Sequence, residues 1–140
     1  TLLTWMSERK APVFIVATAN QIHQLPPELI RKGRFDEMFF VDLPATEVRS
    51  EIFRIHLERR DLDPLQLDLP GLARAAEGFT GAEIEQVVVS ALYAAQARQQ
   101  PVDQALLLHE LQATAPLSVV MAEEVAALRA WADGRAVPAD

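Results

Sequence analysis

Half of the 140 residues are hydrophobic and five are glycine, enough apolar material for one compact core, or for a small domain beside part of another. The absence of cysteine excludes disulfides and thiolate metal sites and fits a reducing compartment. The net charge of −7 is unevenly spread: residues 1–43 hold five basic and five acidic side chains, residues 44–140 eight and fifteen. The second part should therefore repel phosphate backbones and anionic membranes. Wholly apolar stretches such as residues 12–17 fall far short of a membrane span, and no signal or transit segment is visible. The expectation is a soluble, cytoplasmic protein with neither a nucleic-acid nor a membrane partner.

In chain order, residues 1–6 read as the tail of a helix. Residues 12–19 are a continuous apolar, β-branched run, the pattern of a strand covered on both faces, and the run ends on Asn20. Leu25-Pro-Pro-Glu28 opens a short helix reaching about Lys32 and stopped by Gly33. Residues 37–43 read as a second strand, so strand, helix and strand suggest part of a parallel α/β sheet. The change in charge near residue 44, with Pro44 on it, marks a candidate boundary between residues 1–43 and 44–140.

Beyond Pro44 the period becomes helical, with no further strand expected. Residues 46–60 place Val48, Ile52, Ile55 and His56 on one face. Residues 68–77 predict a shorter helix. Residues 81–98 are best specified: Thr80 and Glu83 form a capping box, Phe79 and Ile84 a hydrophobic staple, and Ile84, Val87, Val88, Ala91, Leu92 and Ala95 an apolar stripe. A helix over about 103–113 follows Pro101. A last one starts near Ser118, turns Met121, Val125, Leu128 and Ala132 inward, and ends before Gly134. The second part thus reads as a small helical bundle.

Several residues carry two readings. Asn20 can simply end a strand, or its amide can orient a water or a phosphate oxygen. Arg31 and Arg34 can be solvated cations at a helix end, or guanidinium forks that bind phosphate oxygens bidentately. His56, on an apolar face, can be a core histidine, and Gly81-Ala82 can be a compact first helical turn. His23, His56 and His109 have no metal-ligand spacing, so no metal site is expected. Ser7, Ser90 and Ser118 lack a nucleophile signature, and the dispersed acidic residues read as solvated surface.

Taken together, Ala17-Thr-Ala-Asn20, Leu25-Pro-Pro-Glu-Leu-Ile-Arg31, Gly33-Arg-Phe-Asp36, Phe39-Phe-Val-Asp-Leu-Pro44 and Phe79-Thr-Gly-Ala82 resemble the second half of an AAA-type ATPase domain. The resemblance covers residues 1 to about 98, and 99–133 fit the family's last lid helices more loosely. The wording of Leu25–Leu29 and Arg31–Glu37 is most similar to the chloroplast-encoded and cyanobacterial AAA ATPases. The implied fold is mostly α. Residues 1–43 would be a remnant of the parallel α/β P-loop NTPase sheet, with two strands and one helix, and 44–140 the small helical lid.

The resemblance also implies roles. Asn20 matches the first sensor, which positions the attacking water. Arg31 and Arg34 match arginine fingers that act on nucleotide bound to the neighbouring subunit of a homo-oligomeric, hexameric ring. His56 matches a contact to the nucleotide's ribose or base, and Gly81 and Ala82 the pair that lets a helix N-terminus approach the adenine. A second-sensor arginine is absent, with Ala82 in the corresponding region, so the lid offers the phosphates little charge. The parent protein would use ATP and Mg²⁺ to remodel a protein substrate.

No Gly-Lys dipeptide occurs, and no apolar run ends in Asp-Glu, so these residues contain neither a phosphate-cradling loop nor its acidic partner. The expectation is a C-terminal fragment that alone neither hydrolyses ATP nor binds it tightly. Its residues 1–43 should be poorly ordered or rescued by pairing between chains, and the lid should fold independently. The rival reading is a non-catalytic helical interaction module that kept the AAA shape.

Overall fold

A computed structural model describes residues 4–5, 8, 12–30 and 35–139. The chain divides into two units, Thr1–Val41 with Leu128–Asp140, and Asp42–Ala127.

In the first unit Thr4, Trp5 and Glu8 are helical. A 3₁₀ turn, Ile22–Gln24, precedes the one-turn helix α1, Pro27–Ile30, whose expected continuation to Lys32 and Gly33 lies outside the described residues. Strand β1, Phe39–Phe40, pairs in parallel with β2, Val137–Pro138, in the register Phe39 to Val137 and Phe40 to Pro138. Val137 N–H donates to the Met38 carbonyl at 2.9 Å and Ala139 N–H to that of Phe40 at 3.0 Å. Pro138 falls between these donors, where the missing N–H of proline costs the ladder nothing.

Two expectations are corrected here. Residues 12–19 form no strand, and Phe14 and Val16 are 92% and 76% exposed. An apolar run becomes a buried parallel strand only where neighbours supply hydrogen bonds on both sides, and β1 takes β2 as its partner. Conversely, β2 is a strand beyond Pro44, where none was expected. Its two residues are too few to show a period.

The second unit is helical. It contains α2 (Thr46–Glu58), a 3₁₀ turn (Pro64–Gln66), α3 (Leu69–Ala75), α4 (Gly81–Arg98), α5 (Gln104–Ala113) and the single turn α6 (Leu117–Val120). A final helix, α7 (Ala122–Ala132), runs across the division. The fold is mostly α, a helical lid bundle with a two-stranded parallel sheet.

Local chemistry explains where these helices begin. Asp68 accepts from Gly71 N–H at 2.9 Å at the start of α3, and Asp103 from Leu106 N–H at 2.8 Å at the start of α5. Each such cap stabilises its helix by about 1 kcal/mol. At α4 the expected box is complete: Thr80 Oγ1 accepts from Glu83 N–H, and Thr80 N–H donates back to Glu83 Oε2 at 2.7 Å. Phe79 and Ile84 are both buried. Helix α4 ends with Gln99 in the left-handed region (φ 53°), its N–H on the Gln96 carbonyl and that of Gln100 on Ala95.

The core joins Phe53 and Leu57 of α2, Leu72 of α3, the Ile84–Ala95 stripe of α4, and Leu106, Leu107 and Leu111 of α5. The inward face of α2 differs from expectation. Arg49, Phe53 and Leu57 are buried, whereas Val48 is 45% exposed. The stripe is rotated because an arginine occupies its first position. The last helix is also not continuous. Val119 and Val120, β-branched and poor helix formers, end α6, and Met121 leaves the helical region (φ −120°, ψ 41°) before α7 starts. Met121 is exposed rather than inward; Val125 and Leu128 are half-buried and Ala132 is buried. Among the described residues no single helix is long and apolar enough to cross a membrane.

Candidate functional site

Helices α2 and α4 pack side by side, and the nucleotide-facing residues expected in the second unit lie along this seam. Gly81, the first residue of α4, sits beside Ile52 of α2. A Cβ at Gly81 would lie 3.5 Å from Ile52 Cδ1, an ordinary contact, and Gly81 is not among the residues of positive φ. Neither packing nor backbone therefore requires glycine there. Gly78 differs: its φ is +80° and a Cβ would stand 2.4 Å from Ser118 Oγ. Ala82 is exposed beside Gly81. The backbone N–H groups of a first helical turn have no intrahelical acceptors, and in α4 Thr80 Oγ1 takes that of Glu83.

One turn along both helices, His56 of α2 meets Glu85 of α4, with Nδ1 3.4 Å from Oε1. Arg60, one turn beyond His56, completes the group. Its Nη2 donates to Glu85 Oε1 at 2.8 Å, and its Nη1 donates to the His56 carbonyl at 3.1 Å and lies 3.3 Å from His56 Nδ1. The His56 side chain is 13% exposed, those of Arg60 and Glu85 22% and 46%. The Arg60 hydrogen bond, with a smaller contribution from nearby positive charge, holds the Glu85 carboxyl below the usual glutamate range, against a desolvation cost that raises it.

Glu83 has a second function besides the cap. Its Oε2 accepts from Thr80 N–H and Thr80 Oγ1 at 2.7 and 2.8 Å, and its Oε1 accepts from Leu117 N–H at 2.7 Å. One carboxylate thus closes the start of α4 and fixes the start of α6.

The structure therefore brings His56, Gly81 and Ala82 to one seam. Asn20 belongs to the first unit, exposed at the bend that ends residues 12–19. Arg31 and Arg34 lie outside the described residues. Sequence reasoning missed Arg60 and Glu85 and gave Glu83 only its cap. The available signal was spacing, since Arg60 follows His56 and Glu85 follows Gly81 by four residues. Among the described residues no group of three or more His, Cys, Asp or Glu side chains could hold a metal ion.

Comparison with known proteins covers both units. The model of the ATPase family associated with various cellular activities (AAA) matches residues 1–43, and that of the AAA+ lid domain matches residues 66–105. The uncharacterized AAA domain-containing protein ycf46 of Pyropia yezoensis is 44% identical over 138 residues, 97% of this chain and 28% of its own length. The protein of the same name from Trieres chinensis is 44% identical over 94% of this chain and 27% of its own length. The proteasome-activating nucleotidase of Saccharolobus solfataricus is 44% identical over 84 residues, 59% of this chain and 21% of its own length. The chain thus spans little more than a quarter of the ycf46 relatives. No solved structure matches. With the AAA model on its first segment, the AAA+ lid model on its helical unit and such relatives along nearly all of it, this chain belongs to the AAA family of ATPases.

Proposed function

We propose that this chain supplies an AAA ATPase with its first sensor, its arginine fingers and its lid. Asn20 would orient the attacking water at the γ-phosphate. Arg31 and Arg34 would reach the nucleotide held by a neighbouring subunit and neutralise charge as the phosphoryl group transfers, so turnover requires an assembled, hexameric ring. His56, Gly81 and Ala82 would face the nucleoside. The parent protein would hydrolyse ATP, with Mg²⁺ on the phosphates, to move lid against sheet and so remodel a protein substrate. Without a phosphate loop, the 140 residues alone neither turn over ATP nor hold it tightly.

The observation that carries this reading is Gly81. It opens a capped helix of 18 residues, at a place where a methyl group would fit and the backbone does not call for glycine. The benefit left is close approach by a ligand to the helix start.

The test is Arg34→Ala in the parent protein. A finger contributes about 10³–10⁵ to the rate, so ATPase activity should fall by about 10³-fold or more, with assembly by size-exclusion chromatography unchanged. Unaltered turnover would overturn the reading and favour the interaction module.

A further inference from the structure

We propose that Arg60 is a positioning residue for His56, fixing its imidazole as the Nε2–H tautomer, with Glu85 holding Arg60 in place. His56 then meets a nucleoside as a hydrogen-bond donor. The inference rests on the reading of the α2–α4 seam as nucleoside-facing and deepens it: the atom recognised is an acceptor, either a purine ring nitrogen or a ribose hydroxyl oxygen.

A guanidinium has five N–H donors and no acceptor. Its Nη1, 3.3 Å from His56 Nδ1, can bond that nitrogen only through a lone pair, which leaves the ring proton on Nε2. Two further bonds hold Arg60 there, Nη1 to the His56 carbonyl at 3.1 Å and Nη2 to Glu85 Oε1 at 2.8 Å. Glu85 Oε1 is the competitor that would draw the proton to Nδ1, but at 3.4 Å it stands farther off and already accepts the shorter bond from Arg60. The imidazole is 13% exposed, so its surroundings leave little room for a ring flip. Nε2 makes no hydrogen bond among the described residues and is the nitrogen left for a ligand. In the sequence Arg60 and Glu85 each read as ordinary helix-surface charge, and their four-residue spacing from His56 and Gly81 does not by itself join the two helices.

The tautomer is read directly by long-range ¹H–¹⁵N NMR of the 140-residue chain at about pH 8, where an ordinary imidazole is neutral. His56 should show an unprotonated Nδ1 and a protonated Nε2. In Arg60→Met, Glu85 is left facing Nδ1, and the Nδ1–H fraction should rise several-fold with the backbone amide spectrum otherwise retained. Arg60→Lys, which keeps the charge but not the fork, should also give a mixture and serves if the methionine variant does not fold. A wild-type ring protonated on Nδ1, or a tautomer unmoved in a folded Arg60 variant, would overturn the inference. The underlying reading fails separately: His56→Ala in the parent protein without loss of ATP affinity would remove the nucleoside contact and leave the tautomer result standing. If affinity does fall, comparison with 2′,3′-dideoxy-ATP assigns the acceptor. A loss confined to ATP marks a ribose hydroxyl, and an equal loss for both marks an acceptor other than the 2′- and 3′-hydroxyls, which among the two proposed is the purine ring nitrogen.

Discussion

Arg49 is the one charged side chain among the described residues that is buried, at 7% exposure, and its fork is filled by neutral oxygens. Nε donates to the Ala73 carbonyl at 2.8 Å, Nη1 to the Pro44 carbonyl at 2.6 Å and Nη2 to Thr46 Oγ1 at 3.1 Å. Ala73 lies in the last turn of α3, where carbonyls lack helical donors and the helix dipole favours a cation. The guanidinium thus ties the beginning of α2 to the end of α3. Arg49→Met would strand the buried Ala73 carbonyl and the half-buried Pro44 carbonyl, and a loss of about 3 kcal/mol is expected, read from the urea midpoint at constant m. Arg49→Lys has no fork and should recover less than half of it. A loss below about 1 kcal/mol in the methionine variant would mean that other donors take over. Sequence could not supply this. An arginine beside Val48 looks like solvated charge until the distant Ala73 carbonyl is placed over it.

At the scale of elements, α4 was legible from end to end because its signals are local: a box, a staple and a stripe, all within about twenty residues. What its sequence does not announce is the conformation just past that end, where Gln99 adopts φ 53° without being glycine. A left-handed backbone costs a side-chain-bearing residue about 1 kcal/mol. Gln99→Gly should therefore stabilise the chain by about 0.5–1 kcal/mol, net of the freedom glycine gains when unfolded. Thermal denaturation would show a midpoint raised by a few degrees, and a lowered one would mean that the Gln99 side chain holds the turn. Elements that depend on non-local partners were misread. Residues 12–19 have the composition of a strand without being one, and the break at Met121 follows from two valines whose cost is visible only where no packing offsets it. For the seam, the AAA resemblance is what singles out His56 and Gly81, whose own pattern also reads as a core histidine and a compact first turn, and the Arg60–Glu85 link joins two helices and needed the fold.

For the molecule as a whole, every member of the main core, from Phe53 to Leu111, falls within Asp42–Ala127. Residues 42–127 made alone should therefore fold and unfold in one cooperative transition. Scanning calorimetry and amide exchange would check this, and slow exchange should be confined to α2, α4 and α5. A gradual melt would show that the core relies on residues outside that span. The order of the chain gives this unit a further property. Strands β1 and β2 are parallel neighbours, and parallel neighbours are always joined by a crossover. Here the crossover is the entire helical unit. It is inserted into the sheet's connectivity rather than appended to its end, leaving from Phe40 and returning to Val137 on strands about 5 Å apart. Two chain crossings tether it, one on either side of Asp42–Ala127. A protease that severs one crossing leaves the lid attached through the other, and only a second cut sets it free.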